Sequence, residues 1–257
     1  MCTVTIQKTP TSILATMNRD EAISRAPEIA PEIHQESGLS WIAPIDSEKG
    51  GTWMGVNDRG VVACLLNAYQ PGESLLPDRT STNKSRGEII PKILKHPTPE
   101  ESISWVEHEL NPQDYPSFTL LVYSPEHSIC SSWLKGDFIV SEPIEEEWLL
   151  RSSSGWDSED VAHWREAIFH QWQETGSEMV DHLPKFHLYQ EEGYEAWSPL
   201  MLRDWSATRS VTQAEINVKS GTIDLRHWAH PKPDSRHSDS HLTLPLVGLE
   251  SSTGDIA

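Results

Sequence analysis

Cys2 is the residue with the most chemistry open to it. An initiator Met is usually trimmed when the next residue is small, and loss of Met1 leaves Cys2 with a free α-amino group beside its thiol. Reference pKa values of roughly 8 for the amine and roughly 8.5 for the thiol let the amine act as base for its own thiol, with no separate His required. A second group with chemical potential is Asn18-Arg19-Asp20-Glu21, four polar residues directly after Ile13-Leu14-Ala15-Thr16-Met17. If the segments on either side of Lys8-Thr9-Pro10-Thr11 pair as a hairpin, its open end brings Arg19 and Asp20 to Cys2. An Arg there lowers the thiol pKa by favouring thiolate, and an Asp holds the α-ammonium. Taken singly, each feature has a plainer reading. Cys2 is then a small apolar residue at a strand start, and Asn18–Glu21 a strand exit with a surface ion pair.

The elements that must position these residues follow from the pattern. Residues 3–6 and 12–17 are short and β-rich and read as a hairpin. Residues 22–40, with Pro27 and Pro31, read as a loop, and Trp41-Ile42-Ala43-Pro44 as a short strand. Two apolar runs flank the hairpin turn Asn57-Asp58-Arg59-Gly60, and Val61 to Leu66 is apolar on both faces, as in a fully buried strand. A polar loop spans 68–86. Residues 88–95 and 99–110 read as helices, the second with Thr98 as N-cap, Pro99 at its first position and two Glu in its first turn. Residues 118–123 and 128–134 pair as antiparallel strands, and 138–140 and 148–150 continue the series. Residues 157–174 form a helix with Val161, Trp164, Ile168 and Trp172 on one stripe. Closing strands fall at 207–211, 214–218 and 222–227. The Pro-, Ser-, His- and Asp-rich segment after His230 reads as mobile. Strands, then helices, then strands describe an α+β domain over 1–230, with stacked antiparallel sheets covered by helices, and a flexible tail over 231–257.

Composition bounds the partners. With 20 Lys and Arg against 39 Asp and Glu, the net charge of −19 repels phosphate backbones and anionic lipid. Hydrophobic residues make up 37% of the 257 and Trp alone fills 11 positions, so the chain folds rather than staying disordered. Three widely spaced cysteines, Cys2, Cys64 and Cys130, argue against a disulfide framework or zinc cluster. Without a signal peptide or a membrane-length apolar run, the expectation is a cytoplasmic protein with a small-molecule ligand, no nucleic-acid partner and no cofactor.

Met1-Cys2-Thr3, Asn18-Arg19-Asp20-Glu21 and Ser24-Arg25-Ala26-Pro27 resemble the opening of the NRDE family, which includes the transport and Golgi organisation proteins. Gly50-Gly51-Thr52-Trp53-Met54-Gly55 with Gly60, Ala63 and Leu66-Asn67 is similar to its second block, Ser85-Arg86-Gly87-Glu88 to its third, and Thr208-Arg209-Ser210 to a late one. The family in turn resembles N-terminal-nucleophile hydrolases of the choloylglycine hydrolase and penicillin acylase type. The resemblance implies a four-layer αββα sandwich and an amide-hydrolysing site. In that site Cys2 would be the nucleophile and Asp20 would bind the amine. Arg19 would tune the thiolate, Asn67 would donate to an oxyanion, and Arg209 would sit near Cys2 from a neighbouring strand. Asn18 and Trp53 are the candidate substrate contacts. In the choloylglycine hydrolases the Arg lies three residues before the Asp, whereas Arg19 adjoins Asp20. The stretch matching their mid-chain oxyanion donor, Leu150 to Trp156, has Ser152-Ser153-Ser154 and no Asn.

The resulting reading is a cysteine N-terminal-nucleophile amidohydrolase acting on a small amide or N-acyl compound. The alternative, implied by the same resemblance, is a protein that binds haem or an acyl lipid in a Trp-lined cleft without turning it over. The 12 His, including His227, His230, His237 and His241, follow no zinc spacing. Cys64 and Cys130 lie in strand patterns and read as inert core thiols.

Overall fold

In a computed structural model, the period-2 runs at the start of the chain become the centre of a sheet. The structure describes residues 2–69, 84–134, 137–140, 144–155 and 158–248. The strands in chain order are β1 (Cys2–Thr9), β2 (Ser12–Ala22), β3 (Ile29–Glu36), β4 (Leu39–Ile45), β5 (Met54–Asn57), β6 (Val62–Asn67), β7 (Phe118–Tyr123), β8 (Ser128–Leu134) and β9 (Asp137–Val140). They continue with β10 (Trp148–Ser153), β11 (Met179–Val180), β12 (Leu183–Pro184), β13 (Ser206–Asn217), β14 (Thr222–Ala229) and β15 (Ser240–Pro245). The α-helices are α1 (Ile89–Ile93), α2 (Pro99–His108) and α3 (Ser158–Glu174). One antiparallel sheet runs β10-β1-β2-β13-β14-β15 and a second runs β3 through β9 in sequence order.

Alternation along each strand sorts side chains into layers. Cys2, Val4, Ile6, Ile13, Ala15 and Met17 face the second sheet and pack with Trp53, Met54, Cys64, Leu66 and Leu121 in the central core. The outer face of the second sheet buries Ala63, Leu65, Leu120 and Val122 under α1 and α2. On the first sheet's outer face, Val211 and Trp228 pack on Leu183 and Leu188, and Phe169 and Trp172 of α3 pack on Phe186. The order of layers is helix, sheet, sheet, helix, the αββα sandwich expected. Thr98 caps α2 by accepting from the Glu101 N–H at 3.2 Å, as read from the sequence. Among the described residues no helix is long and apolar enough to cross a membrane.

Three expectations are corrected. The strands read at 207–211 and 214–218 are one, β13, with Thr212 and Gln213 paired to Met17 and Thr16 across the expected break. The 22–40 loop contains β3 and the start of β4. Pro31 is accommodated because β3 is an edge strand, its pairing with β4 shifting register between Ile29 and Glu32. The tail drawn from residue 231 contains β15, hydrogen-bonded to β14 from Thr222↔Pro245 to His227↔Ser240. Leu244 is buried in the central core, Leu242 and Leu246 pack against it, and His241 and Thr243 reach outward to the Asp224 carboxylate. The polar face of this edge strand hides its apolar one in a composition count. Leu244→Ala is therefore expected to lower the unfolding free energy by about 2 kcal/mol, the low end for a buried Leu because the strand is an edge. Urea denaturation measures this, and an unchanged midpoint would mean that β15 contributes nothing.

Candidate active site

β1 begins at Cys2, and its two neighbours determine what surrounds it. Cys2 pairs with Arg19 of β2 on one side and Ser153 of β10 on the other. Its backbone N–H donates to Ser153 Oγ at 3.1 Å. The residue is 8% exposed. Burial, helped by the Asp20 carboxylate, pushes the Cys2 thiol pKa up, while the positive chain terminus, the Asp20 N–H and Arg19 act to lower it. Burial wins, so the expected net lowering by Arg19 is not what this environment produces. Arg19 is also engaged elsewhere. Its guanidinium lies 4.4 Å from the centre of the Trp53 ring, 2.9 Å from Asp46 Oδ2 and 3.4 Å from Glu28 Oε2. Arg25 grips the same Asp46 carboxylate through Nε at 2.9 Å and Nη2 at 3.1 Å to its two oxygens. Burial raises the Asp46 pKa, but the two arginines outweigh it and hold the carboxyl below its ordinary value. Asn18-Arg19-Asp20-Glu21 and Ser24-Arg25-Ala26-Pro27 thus close on one acid from β4's exit. Behind it, burial is likewise outweighed at Glu28, kept low by His227, 3.5 Å away, and Arg19.

Strand parity separates the members of the tetrad. Arg19 shares the sheet-facing side with Cys2, whereas Asn18 and Asp20 point toward the layer that holds α3. Asn18 is fully buried. Its Nδ2 donates to the carbonyls of His187 at 3.0 Å and Pro199 at 2.8 Å, and its Oδ1 lies 2.5 Å from His187 Nδ1. His187 is itself buried, accepts from Thr5 Oγ1 at 2.6 Å through Nε2, and is held neutral by burial, with its pKa pushed down to about 3. This amide fastens the 187–199 segment to β2 and has no group left for a ligand. Asp20 is 3% exposed and accepts from Thr208 Oγ1 at 2.6 Å. Burial raises its pKa, and Arg165, the chain terminus, Thr208 and Arg203 hold the rise in check.

Arg165 is the residue the sequence reading missed. It lies on α3 and is 1% exposed. Nη2 is 3.7 Å from Asp20 Oδ2, Nη1 donates to Thr3 Oγ1, and Nε and Nη2 donate to the carbonyls of Trp197 at 2.8 Å and Ser198 at 3.0 Å. The buried face of α3 runs Val161, Arg165, Phe169, Trp172 rather than along Trp164 and Ile168. A single Arg at helical spacing within an apolar stripe was the available signal.

A pocket of about 190 Å³ opens between the ends of β6 and β10, lined by Leu66, Asn67, Tyr69, Thr119, Arg151 and the run Ser152 to Ser154. Asn67, to which the resemblance gives an oxyanion role, and the serine run that stands where its relatives carry the second donor both line this cavity. Its wall includes Ser153, the hydrogen-bond partner of Cys2. Asn67 Nδ2 donates to the Tyr69 hydroxyl at 2.9 Å. Arg209 is not part of this group. It is the extra residue where pairing of β13 with β2 shifts register between Thr208 and Ser210. Its guanidinium donates to the carbonyls of Ile23 at 2.8 Å and Ala22 at 3.4 Å, at the exit of β2. A bulge re-aims a side chain, which explains why the expected approach to Cys2 does not occur. Among the described residues no group of three or more His, Cys, Asp and Glu is arranged to hold a metal.

A four-layer sandwich whose first strand opens beside such a pocket has the fold of the N-terminal-nucleophile hydrolases. An N-acylethanolamine-hydrolyzing acid amidase ortholog from Caenorhabditis elegans superposes with a TM-score of 0.53 at 12% identity, covering 95% of this chain and 100% of its own. Penicillin V acylase from Agrobacterium tumefaciens gives 0.49 at 13% identity, over 96% of this chain and 86% of that one. A variant of conjugated bile acid hydrolase from Clostridium perfringens gives 0.48 at 12%, over 95% and 92%. The amidase ortholog, matched along its whole length, carries the fold assignment. Residues 1–187 match the family described as Transport and Golgi organisation 2, and the chain belongs to that family. Comparison with curated proteins finds no match.

Proposed function

We propose that the protein is a cysteine N-terminal-nucleophile amidohydrolase that cleaves a small amide or N-acyl compound. The observation that carries this reading is the position of Cys2, at the start of β1, hydrogen-bonded to a serine that lines the pocket containing Asn67. With Met1 removed, the Cys2 nitrogen becomes an α-amine beside Ser153 Oγ. Because burial disfavours a standing thiolate at Cys2, the thiol proton passes to that amine as sulfur attacks the substrate carbonyl. The Asn67 amide, turned from Tyr69 to the developing oxyanion, stabilises the tetrahedral state, as such donors do by about 2.7–4 kcal/mol. Collapse expels the amine product, which takes the proton from the α-ammonium. Water then hydrolyses the thioester by the same proton route and releases the acid. Asp20 holds the α-amino group from the opposite face of the sheet.

The test is intact-mass spectrometry of cell-made protein during incubation with short N-acyl amino acids and with penicillin V. Expected are a chain lacking Met1 and a transient mass increase equal to the acyl group, mapped to Cys2. Full retention of Met1 overturns the mechanism.

A further inference from the structure

A fully buried arginine is costly unless every donor is used and its charge is opposed. Arg165 donates from Nε, Nη1 and Nη2 and has the Asp20 carboxylate opposite its charge, and these partners are informative. Two of its bonds go to the carbonyls of Trp197 and Ser198, which fix the guanidinium in place. The other two contacts run to Thr3, next in sequence to Cys2, and to Asp20, next in sequence to the register partner of Cys2. A single rigid cation therefore spans the two strands that hold Cys2, from the face opposite the thiol.

We infer that Arg165 is a positioning residue for the Cys2 site: its guanidinium, fixed by the 197–198 carbonyls, supplies the charge against which Asp20 holds the amino end of β1, and it ties Thr3 so that Cys2 keeps its register. The inference rests on the amidohydrolase reading, in which Cys2 reacts. The groups facing Asp20 are Arg165 from α3, Thr208 from β13 and Arg203 from the segment before β13. The field of Arg165 also reaches Cys2. Arg19 lies on the other face with Glu28 and Asp46 and cannot replace it. With Arg165 gone, Asp20 takes up a proton more readily and the Cys2 thiolate loses a supporting charge. The first change works against the second, because the ionised Asp20 carboxylate raises the Cys2 thiol pKa; the acidic limb moves to higher pH through the charge that Arg165 itself lends the thiolate.

The experiment is the rate of Cys2 alkylation by iodoacetamide as a function of pH, read by peptide mass spectrometry. It needs no substrate, so it is independent of whether an amide is found that the protein cleaves. In Arg165→Gln the acidic limb moves up and the rate on that limb falls about tenfold, the equivalent of one pH unit in thiolate fraction. Arg165→Lys keeps a charge but loses the planar fork. Its limb stays at the wild-type position although its melting temperature falls. A purely structural Arg165 predicts the opposite pattern for Arg165→Gln, a looser strand whose Cys2 alkylates faster at every pH with an unmoved limb. That result, or a superimposable profile, overturns the inference. If Arg165→Gln does not fold, a shifted limb in Arg165→Lys overturns it as well. An Arg165-dependent limb in a protein that forms no acyl adduct leaves this inference standing and removes the amidohydrolase reading.

Discussion

Cys2→Ala is expected to abolish the acyl adduct and to lower kcat/KM on any cleaved amide by at least about 10³-fold, with little loss of stability. The asymmetry follows from the site. Removing a catalytic nucleophile costs most of the chemical rate, and comparable deletions in hydrolases reach about 10⁶-fold. The folding cost is small because one sulfur leaves a position at the start of a strand, where the backbone bonds to Ser153 and Arg19 remain. A change of that volume costs about 1 kcal/mol. The ranking of neighbouring variants tests the role assigned to each group. Asn67→Ala removes an oxyanion donor and is expected to lower kcat by about 10²–10³-fold with the adduct still detectable. Trp53→Leu leaves the chemistry in place but removes the ring on which Arg19 stacks. Its effect should appear in stability before turnover. Measured by intact mass, initial rates and urea denaturation on the same preparations, a Cys2→Ala protein that still forms an adduct would move the nucleophile elsewhere.

How far the sequence could go is instructive at the level of single residues. The pairing of Cys2 with Arg19 was legible because a strand, a turn and a second strand leave one choice of neighbour at the open end. The placing of Asn18 was also available from parity: Cys2, Val4 and Ile6 share a face, so the register partner of Thr3 belongs to the other one. By that parity Asn18 is a fastening for His187 and Pro199, not the ligand contact that its place in the motif suggests. Arg209 could not have been placed by counting, because a bulge resets the alternation between Thr208 and Ser210. β3 and β15 were hidden for a common reason. Both are edge strands with one solvent face, and edge strands tolerate the Pro, His and Asp that composition assigns to loops. Arg165 was hidden by its type: a charged residue is scored as exposed unless its partners are known, and those partners are 32 to 162 positions away.

The glycine-rich block of the second motif carries the other large effect. Gly51→Ala is expected to destabilise the protein by about 3 kcal/mol, the upper part of the range for overpacking, whereas Gly50→Ala costs only about 1–2 kcal/mol. Gly50 has a positive φ of +70° with open space around it, so its penalty is that of a left-handed residue alone. Gly51 has no such backbone demand. A Cβ there would lie 2.4 Å from the carbonyl carbon of Gly87, 2.6 Å from its oxygen and 2.9 Å from the Glu88 nitrogen. All three are backbone atoms and cannot swing aside. The Gly50–Gly55 block and the Ser85–Glu88 block, distant in sequence, therefore cross at a point where Gly51 leaves no room for a side chain and a Cβ on Gly87 would press on Thr52 at 3.2 Å. The Thr52 N–H bond to Gly87 O at 2.9 Å fastens that crossing, and the Gly51 carbonyl accepts from the Asp46 N–H at 2.7 Å. Forcing the crossing apart strains both bonds, and with them the positions of Trp53 and of the Asp46 carboxylate that Arg19 and Arg25 share. The effect should thus propagate to the site. In Gly51→Ala the alkylation of Cys2 should quicken as the core around Trp53 loosens, while in Gly50→Ala it should not change. Chemical denaturation and the alkylation rate separate the two variants, and equal destabilisation by both would mean that the close approach of the two motifs is not what these glycines provide.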